Sequence, residues 1–250
     1  MATANLNTGT PEQFRLNSRF LTFTFRGHRL PRIEACVRVS HAFRQCALAA
    51  YQTVTGSRES FLLSGHCTDG EPDGEHRHAY YLPISDGQTS ITGLVVAVPD
   101  ARYVDDELRA LNLIRAIRWN GPNTQLSVEM VGDAEDSVRL IASNWTSATP
   151  YVPLRRYWGT HGKRHLSPDR QLAAEFESRI GVRCEVQAIT AVPERVFVRV
   201  GSPRRNGPLP TPTRRAFRLR IRTVVPIRGP LVLGHSAHFG LGQFIPDRSG

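Results

Sequence analysis

The sequence has almost no lysine, and this shortage determines the character of its positive charge. Lysine occurs once, at Lys163, so nearly every basic residue is an arginine, and the formal net charge is +10 at pH 7. Arginine carries a flat, forked donor that pairs with phosphates and stacks on nucleobases. The composition therefore favours a nucleic acid as partner, although a solvated basic surface has the same signature.

Cysteine is also scarce, and its four positions show no paired spacing: Cys36, Cys46, Cys67 and Cys184. This pattern favours reduced thiols over a disulfide framework or a zinc site. Apolar runs fall short of the roughly 18 residues that span a membrane. The polar start MATANLNTGTPEQF lacks the pattern of a signal peptide. The sequence therefore predicts a cytoplasmic protein whose 250 residues bury a core without disulfides or a structural metal.

Strand and helix patterns alternate through the first part of the chain. RFLTFTF and ITGLVVAVP have the composition of strands, whereas Ile33–Tyr51 and Asp105–Trp119 have helical spacing. TQLSVEMV and SVRLIAS then predict a hairpin. The order strand, helix, strands, helix, strands is close to a ferredoxin-like βαββαβ unit with an extra hairpin.

A second unit is predicted after a break near Ser143–Thr149. SPDRQLAAEFESRIG has a serine cap, an early proline and a terminal glycine, which predict a helix. CEVQAIT, RVFVRV and AFRLRIRTVV predict strands around it. We therefore expect an α+β protein of two tandem ferredoxin-like (RRM-like) βαββαβ units, residues 1–145 and 146–250, the second ending in a glycine-rich loop.

Two stretches taken together resemble a known family. One is SGHCTDGEPDGEHRHAYYLPISDGQTSITGLVVAVP, and the other is PIRGPLVLGHSAHFGLGQFIP, preceded by NWTSATPYVPLRRY. They resemble the C-terminal half of the fused CRISPR-associated subunit of subtype I-U (I-G) systems. That half belongs to the RAMP superfamily and is similar to the repeat-processing endoribonucleases, the sixth Cas family. The resemblance runs from about Phe20 to Pro246.

This resemblance implies a function. The fused family has a further N-terminal half that caps the 5′ end of the guide RNA, and 250 residues leave no room for it. A free-standing processing subunit is implied, with a separate 5′-handle-capping subunit among its effector-complex partners. It would bind the repeat stem-loop of the CRISPR RNA, cleave it without metal or cofactor, and stay on the 3′ handle.

The stretch GHSAHFGLGQF is expected to contact RNA. Gly234, Gly240 and Gly242 lack Cβ atoms, so their backbone N–H groups could approach phosphates closely. His235 and His238 are further candidate RNA contacts. The alternative is a glycine-rich turn that joins two strands; a dinucleotide fold is excluded because too little chain follows.

A row of arginines predicts a second RNA contact. Arg218, Arg220 and Arg222 alternate with apolar residues, so a strand would present them on one face. A solvated strand face is the alternative. Other arginines near the predicted RNA surface extend the set: Arg29, Arg32, Arg155, Arg156, Arg204, Arg205, Arg214 and Arg215.

The histidines supply candidates for acid–base chemistry, since imidazole titrates near neutral pH. The family resemblance implies a catalytic histidine in or just after the first strand-to-helix loop, which indicates His28 first and His41 second. Arg29 and Arg32 could stabilise the charged phosphorane there. His66 and His78, with His76, form a second candidate cluster that could instead be structural.

Two other functions stay open at this point. The chain could be a non-catalytic RNA-binding subunit of the same complex, which repeat cleavage by the purified chain would test. It could also be a metal-dependent hydrolase built on His66, His76 and His78, which sensitivity to a chelator would test.

Overall fold

The computed structural model describes residues 19–57, 59–65, 78–87, 89–98, 103–121, 123–133, 140–154, 166–192 and 215–247. These residues form two five-stranded antiparallel sheets with helices, which confirms the α+β class. The first sheet has the order β2-β3-β1-β5-β4. Its strands are β1 (Phe20–Arg26), β2 (Tyr80–Ser85), β3 (Ile91–Ala97), β4 (Ala116–Arg118) and β5 (Gln125–Asp133).

Helix α1 (Cys36–Thr55) covers one face of the first sheet. Its apolar residues recur at helical spacing, so Val37, Phe43 and Ala47 all reach the core, where Phe43 meets Phe23 edge to face at 4.8 Å. The helix ends at Gly56, whose left-handed backbone lets its N–H donate to the Gln52 carbonyl at 2.8 Å. The short α2 (Phe61–Ser64) follows, and α3 (Asp105–Asn112) packs beside α1.

Two local predictions in this half are wrong. The helix expected to run to Trp119 ends at Asn112, and residues 116–118 form the edge strand β4, which pairs with β5. Pairing with β5 buries Ile117 in the sheet, and this tertiary contact overrides the helical spacing. The expected hairpin does not form either: β5 pairs with β1 and β4, whereas the next strand joins the other sheet.

The second sheet has the order β7-β8-β6-β10-β9. Its strands are β6 (Ile141–Ser147), β7 (Cys184–Val192), β8 (Ala216–Arg228), β9 (Leu231–Val232) and β10 (Gln243–Pro246). Helix α4 (Pro168–Ile180) begins with a proline and ends at left-handed Gly181, as the sequence predicted. Its buried Leu172 and Phe176 pack with Trp145 of β6 and Leu219 of β8.

The two sheets share one strand order, but their helices differ. In the first sheet β1 lies between β3 and β5, and the short strand β4 pairs with β5 at the edge. In the second sheet β6 lies in the same way between β8 and β10, and the short strand β9 pairs with β10 at the edge. Every residue between β8 and β10 is described, and the only helical element of that segment is the 3₁₀ turn Ala237–Phe239, where the first half has α3. The second half is therefore a βαββαβ order without its second helix.

The chain passes from the first sheet to the second between Asp133 and Ile141. The predicted boundary between residues 145 and 146 falls inside β6, whose partners β8 and β10 both belong to the second sheet. Whether residues 1–145 and 146–250 behave as separate domains stays a prediction. No helix in the described ranges is long and apolar enough to cross a membrane.

The two halves share apolar contacts. Phe20, Tyr80 and Leu82 lie on the face of the first sheet opposite α1, and they form a buried cluster with Val232 and Ala237 of the second half. Leu241 is buried in the core of the first half. The segment between β9 and β10 therefore lies against the first sheet.

Candidate functional site

The glycine-rich loop between β9 and β10 bonds to the rest of the chain through its own backbone. The Gly234 N–H donates to the Glu175 Oε1 at 2.9 Å, and the Gly242 N–H donates to the Pro150 carbonyl at 2.8 Å. The Gly240 N–H donates to the Ala237 carbonyl at 3.0 Å. A phosphate could reach these three amides only by displacing the bonds that they already make. Contact between this loop and RNA stays a prediction, but the geometry does not support phosphate binding by the three glycine N–H groups.

Close packing explains the glycines instead. All three have positive φ angles between 61° and 90°. A Cβ atom on Gly234 would lie 2.5 Å from the Val152 carbonyl oxygen, one on Gly240 would collide with the Pro83 ring, and one on Gly242 would collide with the Leu233 carbonyl. The loop therefore needs glycine both for its backbone conformation and for its approach to its neighbours.

Glu175 of α4 anchors the start of this loop from within the core. Besides the Gly234 amide, its carboxylate accepts a hydrogen bond from the Tyr151 hydroxyl at 3.4 Å. The Arg179 Nε lies 3.4 Å from its Oε1. Burial raises the pKa of Glu175, while the Gly234 amide and Arg179 act in the opposite direction. These contacts fix where the loop leaves β9.

The loop brings aromatic rings from both halves together. We define the ring cluster as His41, His78, Tyr80, His238 and Phe239. The His238 ring stacks on His78 with centroids 3.8 Å apart and lies 4.0 Å from the Tyr80 ring. The next residue, Phe239, lies 5.9 Å from the His41 ring. Three of the predicted histidines, His41, His78 and His238, therefore belong to one cluster, although they come from distant parts of the sequence.

His41 occupies the α1 side of the ring cluster and is half-buried. Burial lowers the pKa of His41, and the positive charge of Arg44 lowers it further. The Arg44 Cζ lies 5.9 Å from the Phe239 ring centroid, and the Arg44 Nη2 donates to the Ser64 carbonyl at 2.5 Å. A neutral imidazole at pH 7 is the form that accepts a proton.

His28 lies elsewhere. It is exposed in the loop that follows β1, and its neighbour Gly27 packs against Leu126 of β5. The register Phe20–Ala97–Tyr80 puts Tyr80 at the opposite end of β1, so His28 and Tyr80 of the ring cluster are separated by about 20 Å of strand. Gly27 has no positive φ; its lack of a Cβ serves this contact with Leu126 rather than a sharp turn. Arg29 and Arg32 are exposed beside His28, and Arg32 lies 3.6 Å from Glu34.

The arginine row of β8 has the predicted alternation. Arg218, Arg220 and Arg222 are exposed, while Phe217, Leu219 and Ile221 between them are buried. Arg218 donates to the Ser147 carbonyl at 3.4 Å, and Arg220 lies 3.3 Å from Asp247. Arg215 is exposed just before the strand. This face is accessible to a partner, and its contact with RNA stays a prediction.

The predicted strand RVFVRV lies outside the described residues. So do seven predicted site residues: His66, His76, Arg155, Arg156, Arg204, Arg205 and Arg214. In the part of the chain that is described, no three His, Cys, Asp or Glu side chains are grouped to hold a metal ion. Because His66 and His76 are not included in that statement, the metal alternative stays a hypothesis.

His235 is exposed, and its Nδ1 lies 2.8 Å from the Ser236 hydroxyl. The sequence predicted His235 and His238 as RNA contacts on equal terms, but the structure separates them: His238 is in the ring cluster and His235 is not. Sequence reasoning missed Arg44, Tyr80 and Phe239. The three-residue spacing from His41 was a usable signal for Arg44, since such residues share a helix face.

No family model and no curated protein matches the sequence. Solved structures do have a similar fold. Cas6b superposes with a TM-score of 0.50 at 11% identity, over 91% of this chain and 99% of that one. CRISPR-associated protein Cas6 gives 0.49 at 10% identity, over 92% and 98%, and a Cas6 product complex gives 0.47 at 13%, over 92% and 99%. The chain thus shares its fold with Cas6b over nearly its whole length, which confirms at the level of fold the resemblance seen in its sequence.

Proposed function

We propose that this chain is a CRISPR RNA-processing endoribonuclease of the RAMP superfamily. The observation that carries the proposal is the ring cluster, in which histidines from two halves of a Cas6b-like fold meet. The net charge of +10 and the exposed arginine row support RNA as the substrate. The chain would bind the repeat stem-loop, cleave it and remain on the 3′ handle in a cytoplasmic effector complex beside a separate 5′-handle-capping subunit.

The reaction needs two proton transfers and no metal or cofactor. A base takes the proton from a ribose 2′-OH, the O2′ attacks the adjacent phosphorus, and the bond from phosphorus to O5′ breaks. An acid gives the departing O5′ its proton. The products are a 2′,3′-cyclic phosphate on one fragment and a 5′-hydroxyl on the other.

We assign the base to His41. Its lowered pKa keeps the imidazole neutral at pH 7, so it can accept the 2′-OH proton. Arg44, one turn further along α1, carries a positive charge that could stabilise the negative charge of the phosphorane. His28, the first expectation from the sequence, has neither burial nor a second histidine from the ring cluster beside it, so we rank it after His41.

We assign the acid to His238. Its sequence neighbour Phe239 contacts His41, so both imidazoles could face one bound phosphate from opposite sides of the contact between the halves. His78 stacks on His238 and fixes the plane of its ring. In this proposal His78 is a positioning residue rather than a proton carrier.

Incubating the purified chain with labelled CRISPR repeat RNA in excess EDTA tests the proposal. We expect one cut per repeat and a 2′,3′-cyclic phosphate end. A matched RNA with a 2′-deoxy sugar at the cut site should bind equally well and stay intact, because it lacks the attacking hydroxyl. Binding without cleavage would favour the non-catalytic subunit, and cleavage only in the absence of EDTA would favour the metal-dependent hydrolase.

A further inference from the structure

A cleft of about 520 Å³ opens on the second sheet where β6, β7 and β8 meet. Its lining includes Ser143, Asn144, Arg183, Glu185, Arg222 and Val224. Its volume is within the range of small-ligand sites in proteins. The ring cluster contributes no residue to this lining, so any ligand here is held apart from the proposed catalytic histidines.

An irregularity of β8 shapes the cleft. The pairing of β6 with β8 passes from Ala142–Ile227 to Asn144–Arg222, so four residues of β8 lie opposite Ser143 alone. The Thr223 hydroxyl donates to the Val225 carbonyl at 2.8 Å and lies 3.3 Å from the Ser143 carbonyl, which holds this bulge in place. Val224 projects from it with 95% of its surface exposed. Bulges often redirect side chains next to binding sites, and the exposed Val224 offers an apolar surface to a ligand.

Three polar residues that line the cleft occupy paired positions on the three neighbouring strands. Asn144 of β6 and Glu185 of β7 both lie directly opposite Arg222 of β8. Arg218 and Arg220 are restrained by Ser147 and Asp247. For Arg222 and Glu185, in contrast, the structure gives no ion pair or hydrogen bond to another side chain within the residues that it describes, although they are paired across the strands. A guanidinium and a carboxylate are therefore available to one ligand.

The carboxylate selects the type of ligand. A site for phosphate alone would exclude Glu185, since like charges repel, whereas a nucleobase can use both groups. Guanine is the RNA base that presents two adjacent donors, N1–H and N2–H, to the two oxygens of one carboxylate. Its O6 and N7 accept from an arginine, and its flat face can rest on an apolar side chain.

We propose that this cleft binds a guanine base of single-stranded RNA. Glu185 accepts from N1–H and N2–H, Arg222 donates to O6 or N7, and Val224 covers one face of the base. The arginine row of β8 leads to the cleft, because Arg218, Arg220 and Arg222 follow one another on the same face. The inference rests on the proposed function only in taking RNA as the source of the guanine.

Binding of mononucleotides to the whole chain tests the site without any cleavage. GMP, IMP and AMP are titrated while the backbone amide signals of Asn144, Glu185 and Val224 are followed by NMR. We expect GMP to bind at least about tenfold more tightly than AMP, with IMP between them because it lacks the N2 amino group. Glu185→Gln should remove the preference for GMP, and Arg222→Ala should weaken GMP binding.

Arg228→Ala is the matched control, because it removes the same charge from an exposed position of β8 that does not line the cleft. It should leave the preference for GMP unchanged. Equal binding of GMP and AMP, no saturable binding at millimolar GMP, or an unchanged preference in Glu185→Gln would overturn the proposal. GMP selectivity without cleavage of repeat RNA would count against the nuclease alone, and cleavage without GMP selectivity would count against the cleft alone.

Discussion

The imidazole of His41 is the single side chain on which the proposed chemistry depends most. Replacing it with alanine removes the base that takes the 2′-OH proton, so His41→Ala should cleave repeat RNA about 10²–10⁴-fold more slowly. Its affinity for the RNA should stay close to that of the unchanged chain, since one half-buried ring contributes little phosphate contact. Single-turnover cleavage and a gel-shift titration measure the two quantities separately.

His28→Ala is the comparison variant for this prediction. Because His28 is exposed and lies about 20 Å of strand from Tyr80 of the ring cluster, its loss should leave the cleavage rate within a few-fold. A normal rate for His41→Ala together with an inactive His28→Ala would move the catalytic site to the end of β1.

The charge state of His41 also sets a pH dependence. A base must be neutral, so the cleavage rate should fall as the pH drops through the lowered pKa of His41, which lies below the usual 6.5. The acid limb of the single-turnover profile is therefore expected below pH 6.5. Arg44→Gln removes a positive neighbour, favours the charged imidazole and should move this limb to higher pH. A limb that stays in place or moves to lower pH would exclude this coupling.

Gly242 should tolerate no side chain. At a φ of 61°, an added Cβ strains the backbone and collides with the Leu233 carbonyl. Gly181→Ala is the control, because it has a φ of 74° with no atom within 4 Å of the added Cβ. Gly242→Ala should therefore lower the free energy of unfolding by about 1–2 kcal/mol more than the control does, measured by urea titration. Equal losses would mean that the loop shifts to accept the methyl group.

At the scale of elements, strand β8 should act as an electrostatic contact for RNA. Replacing Arg218, Arg220 and Arg222 together with alanine should weaken binding and reduce the slope of log affinity against log salt by about 0.7 per lost phosphate contact. Replacing Arg26, Arg109 and Arg118 removes the same charge from exposed positions of the first half. If both triple variants reduce the slope equally, the effect reports net charge rather than contact with β8.

The elements that the sequence predicts well are those with a strong local pattern. The alternation in β8, the helical spacing of α1 and the proline and glycine at the ends of α4 all depend on neighbouring residues. Residues 116–118 and the expected hairpin were predicted wrongly, because the choice of a pairing partner depends on strands elsewhere in the chain.

The site was less predictable than the elements. His41, His78 and His238 could each be selected as imidazoles, but only the fold brings them together while leaving His28 outside. The glycines were predicted as positions where backbone amides approach phosphates, and that contact stays a prediction. Their approach is to Val152, Pro83 and Leu233, which no local pattern indicates.

For the whole molecule, the shared apolar contacts imply that the two halves unfold together. Leu241 is 1% exposed within the core of the first half, and Leu→Ala changes in cores cost about 2–5 kcal/mol. Leu241→Ala should therefore lower the urea midpoints of both halves together. Trp119 of the first half and Trp145 of the second allow each half to be followed in variants in which that residue is the only tryptophan, with Trp158 replaced in both. Separate midpoints would show two independent domains.

The position of the glycine-rich loop along the chain has a consequence during protein synthesis. Thr149 and Gly240, which share a hydrogen bond, are 91 residues apart. At a ribosomal rate of about 5–20 residues per second, the loop emerges on the order of ten seconds after Thr149. Throughout that time the nascent chain carries Phe20, Tyr80 and Leu82 without their partners from the loop. A chain interrupted before Leu231 would lack both Val232 and Ala237 and would leave this apolar surface exposed, so it would be a substrate for chaperones and proteases rather than a working half-protein.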